Sequence, residues 1–536
     1  MKENEKTLDV AIIGAGHNGL TCAAYLARAG LSVALFEQRD IAGGTAVTEE
    51  FHPGFRNSTA SYTVSLLHPQ VIRDLRLHEH GLRIVERPLL NYLVEGPDRG
   101  LRVGPTAADT LHNLAARSPR DAERHAAYHA QLATGVALLK DLLLATPPTD
   151  LKRFGDLWSA LSLGRAFRAL PLESQRVIHE LFTRSAGELL DGWFEDEGLK
   201  AVYGFDSIVG NYASPYTPGS AYVLLHHAFG EVNGKGGIWG HAIGGMGAIT
   251  NAMAREAELH GARIETDAQV ARVLVEKGHA AGLQLANGRV VRARRIAANV
   301  NPRMLYLQLL DAGDVAPDIR ARMQRYRAGS ASFRMNVALS ELPRLDASGP
   351  AGSDIHRSGI IIGPSLQYMD RAHLDARRDG MSREPVIEML IPSTLDDSLA
   401  PPGTHVASLF CQHFAPQLPD GRRWEDERQR AADLIIDTVT RHAPNFRHSI
   451  LGILALSPLD LEQRFGLPRG DIFHGALGLD QLWAARPLLG YGDYRTCVPG
   501  LYLCGSGAHP GGGVTGLPGR NCAQVMLRER RGLRTS

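Results

Sequence analysis

Three glycines near the start of the chain have the spacing of a phosphate-binding loop, Gly14-x-Gly16-x-x-Gly19, and Glu37 follows 23 residues after the first of them. Each residue type has a separate use. Gly14 permits a tight turn, Gly16 lets the backbone approach a pyrophosphate, and Gly19 allows a helix to pack closely on a strand. The carboxylate of Glu37 is placed to accept hydrogen bonds from a ribose. The spacing therefore predicts a dinucleotide-binding site.

The segments around these residues follow the order that such a site needs. Residues 8–13 form a short apolar run typical of a buried parallel strand, and residues 22–29 are rich in alanine and predict a helix. A second apolar run, residues 31–36, ends on Glu37. The N-terminus of the helix offers free N–H groups and a partial positive charge to a pyrophosphate. A glycine triad alone could be a turn before a structural helix, but the complete βαβ order favours nucleotide binding.

A second glycine-dense loop lies near the other end of the chain. It follows the apolar run 501–504, extends from Gly505 to Gly516, and leads into a predicted helix that begins at Pro518. Backbone N–H groups in a loop of this kind can bind an anion. The two ends of the chain are therefore predicted to meet around one cofactor.

Composition limits the function classes. The 536 residues exceed the size of one simple core, so two interleaved domains are expected. A net charge of +1 gives no strong positive electrostatic potential that would attract nucleic acid, so no nucleic-acid partner is expected. Residues 1–7 lack an apolar leader segment, and no apolar run reaches the roughly 18–20 residues of a bilayer span. We expect a cytoplasmic protein, and peripheral contact of an apolar surface with a membrane stays open.

The cysteines show no Cys-x-x-Cys spacing. This argues against a structural zinc site and against a redox dithiol, so no metal is predicted. Those in helical or strand patterns are expected to be small buried hydrophobic residues. The five are Cys22, Cys411, Cys497, Cys504 and Cys522.

The middle of the chain predicts a second domain inserted into the first. Helical periodicity dominates residues 96–229, and helices are expected over 122–144, 157–170 and 172–185. Strands are expected over 333–339, 359–362, 385–391, 405–410 and 450–456. The glycine cluster 244–247 has two interpretations, a second dinucleotide site or close packing of a helix against the first site. No clean buried strand precedes it, which favours packing.

The N-terminal unit, the segment 43–50 and the C-terminal segment 501–521 resemble the phytoene-desaturase-like flavoproteins, and the resemblance covers nearly the whole chain. It implies an α/β fold related to amine oxidases, in which a discontinuous Rossmann-type FAD-binding domain carries an inserted α+β substrate-binding domain. The FAD-binding domain would comprise residues 1–95, 230–310 and 485–536. The substrate-binding domain would comprise residues 96–229 and 311–484.

The resemblance also implies which residues bind the cofactor. Those that would contact FAD are Gly14, Gly16, Gly19, Glu37, Gly44, Val270 and Gly505, with Gly512, Gly513, Val514 and Thr515 near its ring. A reduced flavin concentrates its charge near N1 and the C2 carbonyl oxygen, so the C-terminal loop and helix would favour hydride acceptance.

Two histidines are the candidates for acid–base chemistry beside the flavin. His509 lies in the C-terminal glycine loop, and His474 stands in a short turn flanked by glycine. Hydride transfer needs correct positioning, a dry pocket and in some enzymes a base. Each histidine could instead be a hydrogen-bonded turn residue, an alternative that is favoured for His474, and Arg520 could hold flavin or a substrate carboxylate.

These features together predict an FAD-dependent dehydrogenase or desaturase of a lipophilic or polyene-like small molecule. Hydride would pass to the flavin N5, and oxygen or a quinone would accept the electrons. Three other functions stay open: a redox-neutral flavin-dependent isomerase, oxidation at a C–N bond, and a non-catalytic flavin-bearing interaction protein. Ser506 follows Gly505 where amine oxidases usually carry glutamate, which disfavours C–N oxidation.

Overall fold

A computed structural model describes residues 7–96, 99–345 and 353–530. The strands are β1 (Leu8–Ile13), β2 (Val33–Phe36), β3 (Thr48–His52), β4 (Phe55–Ser58), β5 (Ile84–Glu86), β6 (Asn91–Gly96), β7 (Arg99–Val103), β8 (Glu231–Val232), β9 (Lys235–Gly236), β10 (Gly240–Ala242), β11 (Arg263–Glu265), β12 (Val270–Glu276), β13 (His279–Leu285), β14 (Val290–Ala298), β15 (Phe333–Leu339), β16 (Gly359–Ile362), β17 (Met381–Leu390), β18 (His405–Phe414), β19 (Ile450–Leu456) and β20 (Leu501–Leu503).

The helices are α1 (His17–Arg28), α2 (Pro69–Asp74), α3 (Ala107–Ala115), α4 (Pro119–Lys140), α5 (Phe154–Ala169), α6 (Leu172–Thr183), α7 (Ala186–Trp193), α8 (Glu197–Asp206), α9 (Ser220–Ala228), α10 (Gly247–Leu259), α11 (Pro302–Met304), α12 (Pro317–Arg325), α13 (Leu366–Asp379), α14 (Trp424–His442), α15 (Phe446–Ser449), α16 (Pro458–Phe465) and α17 (Leu517–Arg530). The described residues contain no helix that is both long enough and apolar enough to cross a bilayer.

The first sheet has the strand order β11–β2–β1–β14–β13–β12, and β20 pairs with β14. Strands β11, β2, β1, β14 and β20 run parallel, whereas β12 and β13 form an antiparallel extension. Strands β1 and β2 are mostly apolar and almost completely buried, as is typical of the centre of a parallel sheet; Val10, Ala11 and Ile12 are fully buried. This is the α/β fold that the sequence predicted.

Strand β14 brings the two ends of the chain together. Ala298, its last residue, is in register with Ile13 of β1 and with Leu503 of β20. Beyond the strands, the side chain of Asn18 donates to the Ser506 hydroxyl at 3.0 Å. The prediction that the N-terminal and C-terminal glycine loops meet is therefore confirmed.

The second sheet has the order β19–β15–β18–β17–β16–β6–β7 and is antiparallel except for the β16–β6 pair. The expectation that helices dominate from residue 96 onward was wrong at its start, because β6 and β7 belong to this sheet. The proposed domain boundary at residue 95 falls inside β6, so the boundary by sheet membership precedes Asn91. The rest of the domain division stays a prediction.

The glycine cluster at 244–247 serves close packing. It precedes α10 and follows β10, which pairs antiparallel with β5 and not with the first sheet. A Cβ atom at Gly247 would lie 2.8 Å from the backbone nitrogen of Thr48, and the Gly247 N–H donates to the Thr48 hydroxyl at 2.9 Å. Glycine is therefore required where α10 approaches β3.

Candidate functional site

A cavity of about 270 Å³ lies at the carboxyl ends of β1, β2 and β14, where open α/β sheets bind ligands. We call it the nucleotide cavity. The predicted site residues that line it are Gly14, Gly16, Glu37, Gly44, Val270 and His474. These positions come from five separate stretches of the chain, and the fold places them around one space.

The glycine loop leaves no room for side chains. Gly14 has a left-handed φ of +84°, and a Cβ atom at Gly19 would lie 2.3 Å from the Gly14 carbonyl oxygen. At Gly16 a Cβ atom would lie 2.9 Å from the side chain of Asn299. Asn299, which sequence reasoning did not select, therefore packs against the loop. Its position directly after a predicted strand could have identified it, because that strand, β14, lies beside β1.

The second glycine pair turns back onto the first loop. The Gly43 N–H donates to the Ala15 carbonyl at 2.8 Å, and Gly44 has a φ of +60°. A Cβ atom at Gly44 would lie 3.0 Å from the Gly16 Cα. Small residues are thus needed on both walls where a pyrophosphate would pass.

Glu37 is buried and fixed by backbone donors. Its Oε2 accepts from the Ala15 N–H at 2.8 Å, and its Oε1 accepts from the Arg39 N–H at 3.1 Å. Each carboxylate oxygen has a second lone pair, so both can still accept from the hydroxyl groups of a ribose. The carboxylate therefore faces the nucleotide cavity in one held orientation.

A second cavity of about 120 Å³, the inner cavity, adjoins the first, and the two share His17, Thr45, His474 and Ser506 as lining residues. Gly513 and Val514 of the C-terminal loop line the inner cavity. A third space of about 610 Å³, the outer cavity, lies between α4, α8 and α9. The inner and outer cavities share His227 and Trp239, whose rings stack at 6.1 Å. The three spaces thus form a series.

The two candidate histidines have different surroundings. His474 lies where the nucleotide and inner cavities meet; its Nδ1 is buried without a hydrogen-bond partner among the described residues. Burial lowers the pKa of His474 to about 3, so the ring is neutral at physiological pH. The His509 Nε2 lies 2.8 Å from the Leu142 carbonyl, and its ring packs edge-on against Trp483. His509 lines none of the three cavities.

His17, which sequence reasoning missed, has the same placement as His474. It is the first residue of α1 and lines both the nucleotide and the inner cavity. Its Nε2 is buried without a partner in the described part of the chain, and burial lowers its pKa to about 4. An unpaired buried nitrogen beside a cavity is the kind of atom that a bound ligand satisfies.

The remaining predicted residues lie behind the cavity walls. A Cβ atom at Gly505 would lie 2.9 Å from the Asn299 side chain, and one at Gly512 would lie 2.1 Å from the ring of Phe473. The Thr515 hydroxyl accepts from the Leu517 N–H at 3.1 Å at the start of α17. These residues shape the C-terminal loop, and their contact with a cofactor stays a prediction.

Arg486 ties the His474 turn to the C-terminal loop. Its guanidinium is fully buried and donates to the carbonyls of Ser506 at 2.8 Å, Phe473 at 2.6 Å and Gln481 at 3.1 Å. Each carbonyl would otherwise be a buried acceptor without a partner, which costs about 1–3 kcal/mol. Sequence analysis did not select this arginine, because nothing in its local pattern distinguishes it from a surface residue.

Three of the five cysteines meet behind the nucleotide site. Cys22 of α1, Cys504 after β20 and Cys522 of α17 are fully buried, as predicted, and their thiols interact with one another. Burial raises the pKa of Cys504 and of Cys522. All five cysteines are free, and the described residues contain no cluster of side chains that could hold a metal.

Known proteins share both sequence and fold with this chain. Residues 19–358 match the family model of the flavin containing amine oxidoreductases. Pyridine nucleotide-disulfide oxidoreductase domain-containing protein 2 of Rattus norvegicus is 40% identical, over 97% of this chain and 93% of its own. A lycopene-forming phytoene desaturase of Pseudescherichia vulneris is 25% identical over 94% and 96%. The structure of cyclohexylamine oxidase from Brevibacterium oxydans, 16% identical, has the same fold, with a TM-score of 0.59 over 98% of this chain and all of that one.

The site geometry predicts the effect of removing the charge of Glu37. Because a hydrogen bond to a charged group contributes about 1.5–3 kcal/mol, Glu37→Gln should weaken FAD binding by about tenfold or more. The measurement is the dissociation constant of the apoprotein for FAD, from quenching of flavin fluorescence. Glu123→Gln, at an exposed position of α4, is the matched control and should bind like the unaltered protein. Equal FAD affinities for the two variants would show that Glu37 does not bind the ribose.

Proposed function

The chain belongs to the flavin containing amine oxidoreductase family and is an FAD-dependent oxidoreductase, and we propose that it dehydrogenates carbon–carbon bonds of a lipophilic or polyene-like small molecule. The observation that carries the proposal is the inner cavity, a mainly apolar space between the C-terminal loop and the second sheet. FAD supplies the two-electron acceptor when it is bound. Oxygen or a quinone as the final electron acceptor is part of the proposal.

The residues of the nucleotide cavity fit FAD. At the N-terminus of α1, Gly16 and Gly19 leave no room for a Cβ atom, and the N-cap residue Gly16 has no side chain to cap the helix. Two buried polar atoms there, His17 Nε2 and Asn18 Oδ1, have no hydrogen-bond partner among the described residues. The α1 N-terminus would hold the pyrophosphate, and Glu37 would hold a ribose.

The inner cavity can exclude water from a substrate. Apolar side chains of Val64, Val209, Phe410 and Phe473 contribute to its wall, and the described neighbours of Phe473 bury it almost completely. An apolar wall strengthens electrostatic interactions at the reacting atoms and keeps solvent protons away. The outer cavity, with Leu132, Val136 and Leu224 in its wall, would hold the rest of an extended molecule.

The charge of the inner cavity disfavours C–N oxidation. Arg334, a buried guanidinium, lines this cavity, and a protonated amine substrate would meet a like charge there. The chain is similar to proteins named phytoene desaturase and cyclohexylamine oxidase, so similarity alone does not decide between C–C and C–N oxidation. The cavity charge therefore supports C–C over C–N dehydrogenation.

The first test is spectroscopic. The purified protein should be yellow, and dithionite should bleach its flavin absorbance. A lipophilic substrate should bleach it under anaerobic conditions, and admission of air or of a quinone should restore it. Turnover without net bleaching would instead indicate the isomerase, and peroxide release on feeding amines would indicate C–N oxidation. A colourless protein that takes up no FAD would contradict the proposal, and bound flavin that no substrate reduces would indicate a non-catalytic protein.

The two histidines provide a second test. We propose His474 as the base, so His474→Asn should slow substrate reduction of the flavin by about 100-fold or more. Asparagine tolerates the left-handed φ of +56° at this position, so the turn is kept. The control, His509→Asn, should leave the reduction rate nearly unchanged while lowering the melting temperature. Rapid-mixing spectroscopy measures both rates; a slow His509 variant beside a normal His474 variant would reverse the assignment.

We further propose that helix α5 rests on an anionic membrane surface. The helix buries none of its side chains, and Phe154, Leu157, Trp158 and Leu161 form one exposed apolar stripe. Phe154 is 74% and Trp158 is 56% exposed. Exposed cationic residues accompany the stripe, namely Lys152, Arg153, Arg165 and Arg168. An apolar stripe beside cations suits the interface of a bilayer that contains anionic lipids.

This surface predicts binding to lipid vesicles. The protein should co-sediment with vesicles that contain phosphatidylglycerol, and less with phosphatidylcholine alone or in high salt. Phe154→Glu combined with Trp158→Glu should abolish sedimentation without loss of flavin. Leu374→Glu alters an equally exposed leucine on α13 and should leave sedimentation intact. Equal sedimentation of all variants would show that α5 is not the contact.

A further inference from the structure

A buried guanidinium in the inner cavity lacks partners. Arg334 of β15 is only 1% exposed, and its Nη2 donates to the Ser408 hydroxyl at 2.7 Å. Its Nε and Nη1 atoms, also buried, have no hydrogen-bond partner among the described residues. Leaving the N–H donors of a buried charged group without hydrogen bonds is costly, because the group has lost its hydrating water. A built site of this kind indicates a ligand that completes it.

The acid nearest to this network is already engaged. The Oε2 of Glu388 accepts from the Tyr62 hydroxyl at 2.6 Å, and its Oε1 lies 3.6 Å from the Arg87 guanidinium. Arg334 instead lies over the ring of Tyr62, with its Cζ 4.4 Å from the ring centroid. The network thus contains two guanidinium groups, those of Arg87 and Arg334, and one carboxylate, that of Glu388, which leaves an excess positive charge.

Asp206 does not balance that charge. Its carboxyl lines the outer cavity, and burial together with the charge of Glu388 raises its pKa to about 8. At neutral pH it is therefore mainly uncharged. Tyr62 is also neutral, because burial raises its pKa well above the ordinary value. The wall of the inner cavity keeps a net positive charge that an anionic ligand would neutralise.

We propose that Arg334 binds a carboxylate of the substrate, so that the substrate is a lipophilic acid. This inference rests on the proposed function and makes it more specific. A guanidinium with free N–H groups matches the geometry of a carboxylate, and both charges would be desolvated in the same cavity. The acid group would lie in the inner cavity, and the apolar remainder would extend past His227 and Trp239 into the outer cavity.

Paired probes test this assignment in the FAD-loaded protein. The probes are dodecanoate and cyclohexylacetate, each compared with its methyl ester by isothermal titration calorimetry. Because charged hydrogen bonds contribute about 1.5–3 kcal/mol, at least one acid should bind about tenfold or more tightly than its ester. Arg334→Met should remove that preference, and Arg334→Lys should restore part of it. Arg344→Met, at an exposed position, is the control and should keep the full preference.

Several results would overturn the proposal. Acids that bind no more tightly than their esters would show that the cavity does not select a carboxylate. An unchanged preference in Arg334→Met would place the carboxylate elsewhere. If Arg334→Met alters FAD affinity or the flavin reduction potential but keeps the preference, then Arg334 faces the flavin and not the substrate. Flavin content and substrate-driven bleaching are read separately, so failure of the oxidoreductase proposal is distinguishable from failure of this one.

Discussion

The simultaneous pairing of β14 with β1 and with β20 is the constraint on which the site depends. The Asn299 N–H donates to the Ile13 carbonyl at 2.8 Å, and the Cys504 N–H donates to the Ala298 carbonyl at 2.9 Å. Parallel pairing makes all three strands end at the same edge. The glycine loop after β1 and the glycine loop after β20 therefore face one space, although nearly the whole sequence separates them. The α1 N-terminus, Glu37 and the C-terminal loop can reach a single cofactor only because of this edge.

A second link connects that edge to the inserted part of the chain. Arg486 holds the backbone of the 473–475 turn against Ser506, so the residue at the junction of the cavities is fixed to the cofactor-binding half. His474 keeps a left-handed conformation there, with its carbonyl accepting from the Tyr326 hydroxyl at 2.9 Å. Unusual backbone geometry of this kind is retained where the surrounding structure determines it. The helices of residues 107–228 then enclose the space beyond.

The sequence predicts those parts of the molecule whose signals are local. The first βαβ unit, the glycine pair at 43–44 and the final helix each carry residue types that only a few conformations accept, and the structure has them where they were expected. Strands β6 and β7 were missed because they are short and carry polar and charged residues, and because the pairing of β6 with β16 joins distant parts of the chain. The unpaired donors of Arg334 and the meeting of Cys22 with Cys504 and Cys522 likewise depend on chain segments hundreds of residues apart. Spacing along the chain could not show that His474 lines the cavities and His509 does not. It also could not distinguish a residue that lines a cavity from one that is packed in the core.

The place of β20 in the sheet also bears on how the protein is made. During synthesis, β1, β2 and β14 leave the ribosome long before residues 501–503, so residues 296–298 of β14 lack the β20 partner on one edge until the end of the chain is made. A chain that stops before residue 500 contains the whole N-terminal nucleotide loop and the inserted domain. It would still lack the strand that completes the edge of the sheet and the loop that closes the far wall of the cavity. The edge of the first sheet can thus be completed only when nearly the whole polypeptide has been synthesised.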